Sequence, residues 1–213
     1  MRSFKKYFGV VLLATALFTS CGENNDNDMD NLDTSVIING VKWATCNVDA
    51  PGTFATTPES TGMFYQWNRK IGWSSADTML NSNGGTEWDN TFDYSTDWAT
   101  ANDPSPAGWR MPTVAELTTL IDTTKVNNEW IVLNGVNGRN FTDKISGNSL
   151  FLPAGGVRHT DGALSLDPFG FYWSSMNNEV GKMAKLLLIS SDKIIVCDGG
   201  VGESAFSVRC VAK

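Results

Sequence analysis

Residues able to do chemistry are few in this chain. There is one histidine, His159, and there are four cysteines, Cys21, Cys46, Cys197 and Cys210. One histidine is enough for a Ser-His-Asp site, but the G-x-S-x-G elbow that would present a nucleophilic serine is missing. His159 itself lies in Val157-Arg158-His159-Thr160-Asp161-Gly162, which reads as a turn. The cysteines have no C-x-x-C spacing, so with a single histidine they do not make a zinc set. Asp26, Asp28 and Asp30 alternate as at the start of an EF-hand. The sixth and twelfth places counted from Asp26, however, hold Asn31 and Ile37, where a calcium loop requires Gly and Glu. No spacing among the 23 Asp and Glu marks out two as the acid and base of glycoside hydrolysis. The expectation is a protein that is not an enzyme and uses no metal or cofactor.

Non-covalent recognition has better material. Residues 68–108 form a long polar stretch rich in Gly, Asn, Ser and Asp, yet it carries Trp73, Trp88, Phe92, Tyr94 and Trp98. A loop of that length in a compact domain is functional or disordered, and its aromatics favour order. Trp88, Tyr94 and Trp98 are the candidates for a platform on which a sugar face or a protein side chain stacks, because nothing in their neighbourhood compels burial. Arg158 and His159 are the polar candidates. Arg110, Arg158 and Arg209 have a second reading, as bridges from sheet to loop through backbone carbonyls.

These residues must be positioned by the rest of the chain, and the N-terminus decides where that happens. Arg2, Lys5 and Lys6 precede an apolar run from Phe8 to Phe18, too short for a permanent membrane helix but suited to a signal peptide. Thr19-Ser20-Cys21-Gly22 follows and resembles the lipobox at which a cysteine is acylated and the chain cut before it, with Leu17 one place ahead of its usual slot. Residues 1–21 are thus read as a lipoprotein leader with Cys21 as the lipidation site. Residues 22–35 are read as an acidic flexible tether, and 36–213 as one domain. The acidic run behind the cysteine resembles the surface-export signals of Bacteroidetes lipoproteins, which implies an outer-membrane location facing the cell exterior. Loss of the three leader bases takes the net charge from −7 to −10, so nucleic acid is not an expected partner.

Within the domain, short apolar runs alternate with turn signals. Asn39-Gly40 separates Val36-Ile37-Ile38 from Val41-Lys42-Trp43, and Asn134-Gly135 separates Trp130-Ile131-Val132-Leu133 from Val136. Asn-Gly tolerates positive φ at both turn positions and closes a two-residue hairpin. Lys185 to Ile189 and Lys193 to Cys197 flank a Ser-Ser-Asp turn, and Phe206 to Val211 reads as a final strand. One helix is marked by Thr113 three residues before Glu116, a capping box, with Val114, Leu117, Leu120 and Ile121 on one face. Hairpins with one helix predict an α+β domain built on antiparallel sheet. Trp43, Trp109, Trp130 and Trp173 lie in or beside these runs and are expected in the core.

Six segments recur in a fixed order. They are Val41-Lys42-Trp43-Ala44-Thr45-Cys46-Asn47-Val48, Gly62-Met63-Phe64-Tyr65-Gln66-Trp67, the stretch from Gly108 to Leu117, Leu152-Pro153-Ala154-Gly155-Gly156-Val157-Arg158, Gly170-Phe171-Tyr172-Trp173-Ser174-Ser175, and Ser207-Val208-Arg209-Cys210-Val211. Together they resemble the Fibrobacter succinogenes major paralogous domain over about residues 39–213. That family is similar to the C-type-lectin-like fold of formylglycine-generating enzyme, whose own G-W-R-L-P-T-x-x-E helix start is similar to Trp109 to Leu117. The resemblance implies a twisted antiparallel sheet with one or two helices, first and last strands side by side, and long loops on one side. It does not carry over the enzyme's copper chemistry, because the paired cysteine motifs have no match here. For the cysteines, Cys197 with Cys210 is the preferred disulfide, since the last two strand runs could pair antiparallel. Cys46 is the rival partner of Cys210 if the first and last strands adjoin. The expected function is a cell-surface binding module for a glycan or protein ligand, held to the membrane by its lipid. The alternative is a structural or accessory subunit of a surface appendage.

Overall fold

The computed structural model describes residues 34–91, 93, 95–166, 168–177 and 183–213, with the side chains of 200 and 201 excepted. The leader, Cys21, residues 22–33 of the tether, Phe92 and Tyr94 lie outside the described residues.

The chain begins with β1 (Ser35–Ile38) and β2 (Val41–Ala44), joined by Asn39 and Gly40 at φ 47° and 80°, the paired positive angles of a type I′ turn. Short strands β3 (Phe64–Gln66) and β4 (Gly72–Trp73) precede the long loop, which ends in a 3-10 turn at Thr100–Asn102. Then come β5 (Trp109–Arg110) and the helix α1 (Val114–Ile121). The hairpin of β6 (Val126–Leu133) and β7 (Val136–Asp143) turns on Asn134-Gly135, at φ 48° and 85°. It is followed by β8 (Ser149–Pro153), β9 (Val157–Arg158) and β10 (Leu164–Ser165). Three long strands, β11 (Gly170–Asn177), β12 (Met183–Ile189) and β13 (Ile194–Val201), lead to β14 (Ala205–Phe206) and β15 (Val211–Ala212).

Four sheets result, with orders β1-β2-β15-β5, β10-β9-β14-β3-β4, β11-β12-β13 and β6-β7-β8. The named strand pairs are antiparallel, and the described residues are mostly β-sheet with one short α-helix, consistent with an α+β fold. The last strand lies beside the second rather than the first: Trp43 of β2 stands opposite Val211 of β15, and β2 separates β15 from β1. The last strand is shorter than expected: Phe206 and Val211 belong to different sheets, and the chain leaves regular pairing between them.

The β11-β12-β13 sheet divides the core. Successive side chains of a strand point to opposite faces, so Trp173 and Leu186 join Tyr65, Trp67, Trp98, Phe206 and Val208 on one side. Tyr172, Leu187 and Ile189 pack on the other side with Trp43, Phe141, Leu150, Leu152 and the Leu117 and Leu120 face of α1. The capping box forms as read: Thr113 Oγ1 accepts from the Glu116 N–H at 3.2 Å while the Glu116 carboxylate accepts from the Thr113 N–H at 2.8 Å. Of the four tryptophans expected inside, Trp43 and Trp173 are buried, and Trp109 and Trp130 are half-buried. Trp109 meets the edge of Phe54 with 5.4 Å between ring centroids, and Trp130 lies under the Arg139 guanidinium at 6.0 Å, each at the margin of a sheet.

Candidate functional site

The long loop owes its shape to four side chains from the β3 and β9 region. Arg158, on β9, is 1% exposed and has no carboxylate in contact among the described residues. Its guanidinium instead donates to four carbonyls. Nε reaches Ser74 O at 2.7 Å, Nη1 reaches Gly162 O at 2.7 Å, and Nη2 reaches Ala76 O and, at 3.2 Å, Thr78 O. Burial lowers its pKa, and the nearby Asp77 opposes that. A planar, rigid donor set that remains charged suits this work better than a lysine would. Gln66, on β3, takes the next stretch: Nε2 donates to Asp89 O at 2.6 Å and Glu203 O at 2.9 Å, while Oε1 accepts from Trp73 Nε1 at 3.2 Å.

Asn68, in the left-handed region at φ 53°, donates to Asp93 Oδ2 at 2.6 Å and Ser95 Oγ at 2.9 Å and accepts from the Ala99 N–H at 2.8 Å. Arg69 beside it holds Asp89 at 3.0 Å, Asp93 at 3.4 Å and Thr91 Oγ1 at 2.9 Å. Partial burial raises the carboxyls of Asp89 and Asp93, but hydrogen bonds from Thr91, Ser95 and Asn68 and the Arg69 charge outweigh it and leave both below the usual range. Those carboxylates serve as internal struts, with Arg69 where a cation would sit. Among the described residues no group of three or more His, Cys, Asp or Glu is placed to hold a metal.

The residues singled out by sequence end in different places. Arg158 takes the bridging role, with its donors turned inward rather than to a ligand. His159 is exposed, at a turn closed by its N–H to Ala163 O at 2.9 Å and by the Gly162 N–H to His159 O at 2.9 Å. Trp88 is half-buried, its ring centroid 4.6 Å from that of Trp73. A Cβ added at Gly162, φ 79°, would lie 3.0 Å from the Trp88 ring and 2.6 Å from Met79 Sδ, so this glycine leaves room for the indole and the thioether. Trp98 is 7% exposed and belongs to the core. It meets Trp67 at 5.2 Å and Trp173 at 6.4 Å, its indole N–H bonded to Asn102 O at 2.9 Å. Trp88 and Trp98 therefore sit in different clusters and share no platform.

The expected disulfide is corrected. Cys197 and Cys210 are both free thiols. The reason is topological: β13 pairs with β12, setting Cys197 against Leu186, whereas the chain after Cys210 pairs with β2 and β5. Cys210 is buried with its thiol 3.0 Å from Ser105 Oγ, and a free Cys210 also excludes the rival pairing with Cys46. Sequence reading missed Gln66, Asn68 and Arg69 as holders of the loop. The signal for them was amide and guanidinium side chains set among the aromatics of Phe64-Tyr65-Gln66-Trp67-Asn68-Arg69.

The loop and the turn carry an exposed His159, an exposed Leu80, whose carbonyl accepts from the Ser74 N–H at 2.8 Å, and half-buried Met79 and Trp88, which both lie against Gly162. Such a set can bind by apolar contact and hydrogen bonding and contains no activated nucleophile. Comparisons of the chain with protein-family models, with curated proteins and with solved structures find no match.

Proposed function

We propose that this protein is a non-catalytic binding module, held at a cell surface by acyl chains on Cys21, that takes a glycan or protein ligand on the surface formed by the 74–91 loop and the 159–163 turn. The carrying observation is the clamp. A fully buried arginine donates from all three of its guanidinium nitrogens to carbonyls of the loop and the turn, fixing a long segment without regular structure. Fixing backbone costs about 1–2 kcal/mol per residue in conformational entropy, and long irregular loops held on rigid scaffolds are where proteins place recognition. We read the fold more finely as C-type-lectin-like. Support comes from the pairing of β2 with β15, from the long loop between β4 and β5, and from the ordered sequence segments that resemble the Fibrobacter succinogenes major paralogous domain. The leader resembling a lipoprotein signal and the acidic tether support an outer-membrane anchor with the domain facing outward.

A glycan array and a panel of surface proteins, probed with the full chain, test the binding claim. Trp88→Ala and the pair His159→Ala with Leu80→Ser should abolish whatever signal is found, the latter pair leaving the melting temperature within a few degrees because both residues are exposed. No signal on either panel, or a signal untouched by these changes, overturns the site. The anchor is tested separately: Cys21→Ser should move the protein from the detergent phase to the aqueous phase of a Triton X-114 partition, and unchanged partitioning refutes it.

A further inference from the structure

The β11-β12-β13 sheet is unfinished on one side. β13 has β12 along one edge, and among the described residues no strand along the other. Which backbone groups face that open edge follows from the hairpin turn. The Ser190 N–H donates to Lys193 O at 2.7 Å, so 190 and 193 are a hydrogen-bonded pair. Such pairs alternate along an antiparallel ladder, so Leu188 with Ile195 and Leu186 with Cys197 are the next ones. Ile194 and Val196 therefore direct both N–H and C=O away from β12. Consistently, Lys185 O points to the β11 side and accepts from Ser174 Oγ at 2.9 Å. Natural edges are blunted by proline, inward charge, bulges or shortness; β13 has a bulge at Gly199, and Ile194-Ile195-Val196-Cys197 before it has none of these.

An apolar row runs to this edge. Phe171 of β11, Leu188 of β12 and Ile195 of β13 are in register on one face. Phe171 and Leu188 are half-buried, Ile195 is 36% exposed, and Phe169, 39% exposed, extends the row with its ring 6.4 Å from that of Phe171. The row thus ends on an exposed β-branched side chain beside two residues of backbone that no strand among the described residues pairs.

We infer that β13 pairs antiparallel with β13 of a second copy of this chain about a two-fold axis at Ile195, making one six-stranded sheet. That register lets Ile194 and the second copy's Val196 exchange both hydrogen bonds, twice over by symmetry. It also sets Ile195 against Ile195, so the two rows join end to end as Phe171, Leu188, Ile195, Ile195, Leu188, Phe171. No other occupant needs only what this chain already presents, which is the self-complementarity an isologous dimer demands. In this register each copy's Lys193 stands opposite the second copy's Cys197, and its Asp192 opposite the second copy's Asp198. That carboxylate already holds Lys185 of its own copy at 2.7 Å. Asp192, which would otherwise face it as a like charge, is turned back to Ser190 Oγ at 2.8 Å. One strand and one row are small beside roughly 800 Å² per partner in a standard interface, so dimerisation is concentration-dependent and favoured where copies are crowded.

Site-specific crosslinking of the full chain tests the proposal. In an antiparallel pair, opposed Cβ atoms lie about 4.5–5.5 Å apart, so Ile195→Cys should give a reducible dimer on mild oxidation with copper phenanthroline. The unaltered chain, whose Cys197 faces Lys193 in this register, should not, and neither should Ile37→Cys, a control that is 52% exposed on β1. Adding Val196→Pro, which removes an N–H that β12 does not use, should suppress the Ile195→Cys dimer while the melting temperature stays within a few degrees. Absence of the dimer, equal crosslinking of the control, crosslinking of the unaltered chain through Cys197, or a crosslinked species of any mass other than twice the chain overturns the inference.

Discussion

Burial sets the chemistry of the two free thiols. Cys210 is fully enclosed, and burial pushes its pKa up to about 12, the Ser105 hydroxyl opposing only in part. Burial also raises the half-buried Cys197. Since the thiolate is the reactive form, iodoacetamide at pH 8 should label Cys197 slowly and Cys210 not at all until denaturant is added. Peptide mass mapping reads this, and native labelling of Cys210 at the rate of Cys197 would refute it. Asp143 lies at the other extreme. Backbone N–H groups of Ser146, Asn39 and Ile145 donate to its carboxylate and hold its pKa at about 2, against an ordinary 3.8. A depressed carboxyl stabilises the fold while it is charged, so its contribution is complete above the ordinary value and is lost as pH falls from about 3.8 to 2. Asp143→Asn should therefore be less stable at pH 7 in urea unfolding, with a flatter decline across that acid window. A decline as steep as that of the unaltered chain would show that other groups carry it.

At the scale of elements, what could be read in sequence was what neighbours in sequence decide. The Asn-Gly turns needed only two residues willing to take positive φ, and the helix start needed only Thr113 and Glu116. Glu116 also receives Arg110 through two bonds, at 2.8 and 2.6 Å. Burial raises its carboxyl, and the bonds from Arg110 and Thr113 outweigh this and lower it. Thr113→Ala removes one cap acceptor and should cost about 1 kcal/mol, or about 2–4 °C in melting temperature for a domain of this size; calorimetry showing no change would mean that Arg110 and Glu116 suffice to start the helix. What could not be read was pairing at a distance. Cys197 and Cys210 looked like neighbours because their strand runs are consecutive. The order of the sheets sends the final strand across the molecule to β2 instead, and no local signal carries that order.

For the molecule as a whole, the aromatic inventory was legible and its allocation was not. A loop full of Asn, Asp and Ser suggested that Trp98 could stay at the surface. The Trp98 backbone N–H bonds to Ser175 O at 2.9 Å, and this bridge to β11 carries the indole onto Trp67 and Trp173. Trp98→Ala should accordingly cost about 3–5 kcal/mol, the range for deleting a large buried aromatic. Trp88→Ala should cost clearly less in the same denaturant titration, and the opposite ranking would reverse their places in the fold. The guanidinium of Arg158 was a candidate from the outset, but the carbonyls it binds at Ser74, Ala76 and Thr78 lie about eighty residues away and leave no mark on the residues around it. The pairing of Trp43 with Val211 has a consequence in time as well as in space. A chain made from its N-terminus at roughly 5–20 residues per second carries its first hairpin for on the order of 10–30 s before the strand that completes that sheet exists. Over that interval the sheet cannot close, and the inner edge of β2 waits without the partner that Val211 will bring.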